Sequence, residues 1–237
     1  MLLMFSAGCS TQDRFPPSLP DRAGSSSGSS QYYLYQNVVN TSGQNASGTP
    51  EDYRAAAIRD AIDFREPVTR DSAVSLISRE HGGTFRMSQA CDIWEAVYSR
   101  WTYIEDPDGG DYFSPASRTI ALGFRGDCDD FAIVVAAMIE AVGGDARIVY
   151  AYNGTAGHAY PEVFVGTTQD EFDKAARYIR QRYHVTDVGC HVTRDNSGTR
   201  YWLNLDWWSN HPGGTFYADE GNRTAYYPDG RWERVES

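Results

Sequence analysis

The chain has 237 residues, 41% hydrophobic and 14% aromatic, enough for one domain of ordinary size with a packed core plus an extension outside it. Its 32 acidic and 21 basic residues give a formal net charge of −11. Such a surface repels phosphate backbones and anionic headgroups, which excludes nucleic acid as an expected partner.

The chain opens on Met1-Leu2-Leu3-Met4-Phe5-Ser6-Ala7-Gly8-Cys9, a short apolar run ending in small residues and a cysteine. That pattern matches the end of a bacterial lipoprotein signal peptide, against the plainer reading of a disordered apolar tail. Residues 1–9 are therefore expected to place lipid on Cys9 and to attach the protein to a membrane of the cell envelope, on the periplasmic side. Residues 10–50 are rich in Ser, Gly, Asn and Thr, too polar to offset the entropy of folding, and read as a tether. Within it Tyr32-Tyr33-Leu34-Tyr35 is an apolar island.

The folded domain is expected over 51–237. Ala55, Ile58 and Ile62, then Val74 and Ile77, are spaced for one apolar face on each of two helices. A third helix is expected to start near Ser88 as its N-cap and to carry Cys91, Trp94 or Glu95, Val97 or Tyr98, and Trp101 at three- and four-residue intervals, with Cys91 in the core. Pro107-Asp108-Gly109-Gly110 breaks that pattern, and Ser117 to Leu122 reads as a short helix.

Phe131, Val134, Val135, Met138 and Val142 form the apolar stripe of the next helix, which Gly143-Gly144 stops. Asp127 is suited to cap it, placing Cys128 in the first turn, where unpaired amides and the helix dipole favour a thiolate. Asp129 and Asp130 oppose that ionisation unless they point away or are paired. Cys128 thus reads either as a small buried hydrophobe or as a nucleophile.

Arg147 to Tyr152 and His158 to Val165 read as a hairpin. Alternation puts His158, Tyr160, Glu162 and Phe164 on one face, and Pro161 suggests an edge strand or a bulge. Gln169 to Tyr183 is an amphipathic surface helix. Two strands follow, Tyr183 to Thr193 and Thr199 to Trp207, joined by the turn Asp195-Asn196-Ser197-Gly198. In the second, Asp206 lies among large aromatics, where a carboxylate needs a partner such as an imidazole N–H.

Gly126-Asp127-Cys128-Asp129-Asp130-Phe131-Ala132, Gly157-His158-Ala159-Tyr160-Pro161-Glu162-Val163 and Trp202-Leu203-Asn204-Leu205-Asp206, in that order, resemble the transglutaminase-like superfamily over roughly 88–208. The resemblance implies an α+β, papain-like fold in which N-terminal helices and a cysteine helix pack on an antiparallel sheet. It implies a cysteine peptidase or acyltransferase with Cys128 as nucleophile, His158 as base and Asp206 orienting His158. The substrate would be a protein or peptide amide, attacked by the thiol and released to water or to an amine. The backbone N–H of Cys128 would be one oxyanion donor, with Tyr103 and Tyr112 the candidates for the second. Tyr160-Pro161 departs from the family's common Trp after the His-Ala pair.

No cofactor is expected, and no metal. Cys190-His191, His184 and His211 fit no closed zinc spacing, and neighbours on a strand point to opposite sides. Capping accounts for Asp127, Asp129 and Asp130 more simply than calcium does. A Cys91–Cys190 disulfide, hydrolysis against cross-linking, and oligomeric state stay open. The competing reading is a non-catalytic envelope module that keeps the fold and holds a peptide or partner in its cleft.

Overall fold

A computed structural model describes residues 48–106, 112–154, 156–195, 198–219 and 221–235. Cys9, the tether with its tyrosine island, the loop at 107–110 and the turn at 196–197 lie outside the described residues.

Helix α1 (Pro50–Ala61) starts from a reciprocal cap in which the Thr49 hydroxyl accepts from Asp52 N while the Asp52 carboxylate accepts from Thr49 N. Helix α2 (Pro67–Leu76) follows with proline in its first turn. Helix α3 (Met87–Tyr98) begins two residues earlier than expected. Arg86 stands at the cap, and Ser88 is buried inside the first turn. Cys91, Trp94 and Val97 form its buried face, but the helix stops at Tyr98, so Trp101 lies beyond it. The reason is a competing pairing: Thr102 N donates to Phe124 O at 2.9 Å and Ile104 N to Gly126 O at 2.8 Å. These bonds draw β1 (Thr102–Tyr103) into parallel register with β2 (Arg125–Gly126), across the short helix α4 (Ala116–Ala121).

Helix α5 (Cys128–Ala141) is buried at every position from Asp129 to Ile139. Each Val, Ile or Phe it removes from water contributes about 1.5–3 kcal/mol, which makes α5 the central pillar of the domain. At its end Gly143 takes a φ of 87°, and Gly143 N and Gly144 N close onto Glu140 O and Ile139 O. Only glycine enters that left-handed turn without strain.

The sheet has six strands in the order β5-β6-β4-β3-β7-β8, with every neighbouring pair antiparallel. These are β3 (Ala146–Asn153), β4 (Ala156–Gly166), β5 (Cys190–Asp195), β6 (Gly198–Asn204), β7 (Asn222–Tyr226) and β8 (Trp232–Arg234). Helix α6 (Gln169–Tyr183) connects β4 to β5, caps on Thr168, and buries Phe172, Ala175, Ala176 and Ile179. Side chains alternate cleanly. Ile148, Ala159, Val163 and Leu203 join the core under α5, while Val149, Tyr160, Trp202 and Tyr227 form a second core on the opposite face.

Three expectations change. Pro161 sits on a central strand, because β6 and β3 flank β4 on either side; the register shift falls at Phe164 to Gly166 instead. Residues 184–189 are a loop, since α6 runs on through Tyr183 and β5 begins only at Cys190. Strand β6 ends at Asn204, so Asp206 stands in the turn beyond it rather than on its face. The two last strands had no forecast in the sequence. The architecture is α+β, with N-terminal helices and the cysteine helix packed on an antiparallel sheet. No helix among the described residues is long and apolar enough to cross a membrane.

Candidate active site

Cys128 occupies the first position of α5, and Asp127 caps the helix by accepting from Asp129 N at 3.2 Å. The turn into the helix is tight: a Cβ at Gly126 would lie 2.0 Å from Asp130 Oδ2. The backbone N–H of Ala159 on β4 donates to the Cys128 sulfur, which fixes the helix mouth against the strand that carries His158. His158 itself is buried, and its Nε2 meets Asp206 Oδ2 at 2.8 Å.

The Asp206 turn is held from several directions. Trp94 on α3 donates its indole N–H to Leu205 O at 3.0 Å. Asp206 N donates to Asn204 Oδ1 at 2.9 Å, and the carboxylate accepts from Trp208 N at 3.0 Å. The Asn204 amide also donates to Gly214 O and Thr215 O, each at 3.2 Å, fixing the loop that carries Tyr217 over His158 at 4.9 Å between ring centroids. Tyr103 stacks on Trp207 at 5.4 Å and stays partly exposed, as does Trp208. Trp94, Asn204 and Tyr217 were not anticipated as site residues. Asn204, a polar side chain on a strand of large apolar residues, was the one signal available; Tyr217 left none.

The electrostatics depart from expectation. Burial pushes the Cys128 thiol well above its usual range, the charges of Asp127 and Asp129 push the same way, and Asp206 adds to them. The Ala159 N–H bond opposes them without prevailing. The acids are clustered rather than separated: a carboxylate oxygen from each of Asp127, Asp129 and Asp130 lies within 4.8 Å of the others. Burial, then the Asp127 charge and hydrogen bond, drive the Asp129 carboxyl well above the ordinary range, while the Tyr150 hydroxyl at 3.1 Å pulls it down. Asp130 is raised to about 7 by burial and by the charges of Asp127 and Asp106. The helix-end stabilisation of a thiolate is therefore outweighed in the resting site.

The other candidates lie elsewhere. Cys91 is a core thiol pushed up to about 12 by burial, and Cys190 on β5 is pushed up to about 11 by burial and the Glu162 charge; both are free. His191 is engaged by Glu162 at 2.5 Å and by Arg223 at 2.5 Å. His184 and His211 line a separate cavity of about 640 Å³. Among the described residues only the three acids group closely enough to share an ion.

Among curated proteins no sequence matches this chain. Two solved structures resemble it distantly. One is a candidate cysteine protease from Cytophaga hutchinsonii, at 17% identity and a TM-score of 0.39, over 71% of this chain and 51% of that one. The other is a candidate protease from Parabacteroides distasonis, at 9% identity and a TM-score of 0.41, over 77% of this chain and 31% of that one. This chain thus spans about half and about a third of their lengths. The family model described as transglutaminase-like superfamily matches residues 70–212, more than half of the sequence and the whole stretch from α2 to the Asp206 turn. On that match the chain belongs to the transglutaminase-like superfamily.

Proposed function

We propose that the protein catalyses thiol-dependent acyl transfer at amide bonds, with Cys128 as nucleophile, His158 as general base and acid, and Asp206 orienting the imidazole. The observation that carries this reading is the buried 2.8 Å bond between His158 Nε2 and Asp206 Oδ2, next to a sulfur already held by Ala159 N–H. A neutral imidazole that donates Nε2–H to the carboxylate keeps Nδ1 as its basic atom. Because burial and nearby acids hold the thiol in its protonated form, attack and proton transfer go together. Sγ bonds to the carbonyl carbon as the thiol proton moves to His158, and Asp206 stabilises the imidazolium that forms. The imidazolium then protonates the departing amine. Water or a second amine attacks the thioester, losing its proton to His158 and restoring the thiol.

The test is a pool of N-acetylated peptides incubated with the protein, with and without hydroxylamine, and read by mass spectrometry. Expected are cleaved, deamidated or hydroxamate products that vanish in Cys128→Ala and fall steeply in His158→Ala. Products that persist in Cys128→Ala, or none from the wild-type chain, would sink the proposal. One observation favours a second reading, a non-catalytic module holding a peptide or partner: the elevated thiol. That reading requires no turnover and unchanged peptide capture by Cys128→Ala. Envelope attachment through lipid on Cys9 belongs to the same proposal and rests on the Met1–Cys9 run. Membrane fractionation of the chain and of Cys9→Ser checks it.

A further inference from the structure

The histidines of this chain divide by what they face. Three meet a carboxylate: His81 Nδ1 lies 2.6 Å from Asp92 Oδ2, His158 Nε2 2.8 Å from Asp206 Oδ2, and His191 Nδ1 2.5 Å from Glu162 Oε1. His184 and His211 form no ion pair among the described residues, and both line the cavity of about 640 Å³ beside the end of α6. Arg180, in the last turn of that helix, lines it too and likewise pairs with no carboxylate among the described residues. In a chain of net charge −11, three unpaired basic side chains around one cavity are an exception.

The walls are built to a close fit. They are the loops 184–189 and 211–216, and glycine lets the two cross. Gly189 N donates to Gly213 O at 2.8 Å and Gly213 N to Asn204 O at 2.6 Å, while a Cβ at Gly213, where φ is 74°, would lie 2.6 Å from Val188 Cγ1. The basic groups are held as well. Arg180 Nε donates to Thr186 O at 2.8 Å, and its terminal nitrogens meet no acceptor among the described residues. His211 Nδ1 lies 2.9 Å from Pro212 O; a carbonyl only accepts, so Nδ1 carries the hydrogen and Nε2 is left for another partner. His184 closes α6 at a φ of 55°, a left-handed turn that glycine enters freely and that strains a residue with a Cβ. Strain retained in this way clusters at ligand sites.

A metal held by three protein ligands does not fit, because among the described residues only Asp127, Asp129 and Asp130 bring ligand atoms within 4.8 Å of one another. The volume falls within the roughly 300–1,000 Å³ of small-molecule sites. Val185, Val188 and Phe216 give the cavity an apolar wall, and Asp187, the one acid in its lining, disfavours a doubly charged guest. We propose that this cavity binds a carboxylate carried on an apolar body, with the Arg180 guanidinium and the His184 and His211 imidazoles around the carboxylate and Phe216 against the body. Guanidinium matches a carboxylate with two parallel N–H bonds, and a protonated imidazole adds a third donor. The carboxylate belongs either to a free organic acid or to the end of a peptide. The site shares no residue with Cys128, His158 and Asp206 and stands independently of the acyl-transfer reading.

The experiment uses the full-length protein, isotopically labelled at histidine, with imidazole NMR signals assigned by single histidine-to-glutamine variants and N-acetylphenylalanine as the probe. Expected are saturable shifts of the His184 and His211 signals while that of His81 stays in place. Arg180→Gln should weaken binding roughly 10-fold or more, the usual effect of losing a charge-assisted hydrogen bond. His184→Asn, which keeps the left-handed turn, should weaken it less. N-acetylphenylalaninamide, the same body without the charge, and inorganic phosphate, a charge without the body, should both bind far more weakly. A peptide ending in phenylalanine, free or amidated at its C-terminus, separates the two sources. Tighter binding of the free peptide than of the small acid assigns the carboxylate to a chain end, and weaker binding assigns it to a free organic acid. Equal binding of the amide or of phosphate, equal shifts at His81, undiminished affinity in Arg180→Gln, or no saturable shift at all would overturn the assignment. None of these readouts depends on turnover, so a chain inactive toward amides still decides the matter.

Discussion

Two sets of buried charges on this sheet respond to burial in opposite ways. On the far face, Glu162 is fully enclosed, which by itself raises a carboxyl, yet the Arg147 charge and the His191 bond hold it below its ordinary range. Arg147 binds Glu162 at 2.7 Å, lies 4.2 Å over Trp202, and reaches Tyr227 and Glu233; His191 hands the chain on to Arg223 and Asp219. Among the described residues the acids at the mouth of α5 have no such cations. Asp127, Asp129 and Asp130 are all raised, and the thiol among them is raised too. Compensated burial is what a structural network requires; uncompensated burial of titratable groups around a thiol marks a site held out of its most comfortable state.

The contrast is broken most sharply at Cys128. Cys128→Ala should abolish acyl transfer, and Asp206→Asn should lower kcat by roughly 10³- to 10⁴-fold, as in other triads, while steady-state assays and urea unfolding show the Cys128→Ala fold intact within about 1 kcal/mol. Urea unfolding that shows Cys128→Ala to be grossly unstable would move the helix mouth into the structural class. On the far face the pattern should invert: Arg147→Met leaves Glu162 buried without its cation and should cost about 3–5 kcal/mol in urea unfolding. Activity per folded molecule should barely change. A loss under 1 kcal/mol would mean the network is ornamental.

A smaller effect lies in pH. Asp130 and Glu140 each rise to about 7 in the folded chain, from ordinary values of 3.8 and 4.5. Folded-state pKa values above the unfolded ones mean that the native chain binds more protons between those limits, so stability declines as pH rises from about 4 to about 7. Glu162, shifted the other way, contributes stability that is lost only as pH falls below its unfolded value. Asp130→Asn should flatten the decline measured by thermal melts through that window; an unchanged slope would assign it elsewhere. Smallest of all, Asp127→Asn keeps a good helix cap but removes a negative charge, which should lower the Cys128 pKa and speed iodoacetamide alkylation several-fold at fixed pH.

Local rules carried much of this site. A capping aspartate, an apolar stripe and a Gly-Gly stop defined α5 to within a residue or two, and period-two alternation placed His158 and Glu162 on one face of β4 as found. What failed depended on partners far along the chain. Trp101 kept helical spacing but was taken by the β1–β2 pairing, and Pro161 signalled an edge although β6 supplies the missing neighbour. The elevated thiol was hidden for the same reason. Whether Asp129 faces toward or away from the sulfur is set by Tyr150, twenty-one residues distant on β3, and not by the helix that carries both.

The Trp94 indole that grips Leu205 spans 111 residues, and the His158–Asp206 bond spans 48. Contacts of such long range form late in folding, after local helices and hairpins. The carboxylate therefore reaches its imidazole only once the N-terminal helices and the final turn have met, so a ribosome-bound chain that already displays its cysteine helix still lacks the His158–Asp206 bond. Maturation of the proposed chemistry is built into the order in which the polypeptide emerges and closes on itself.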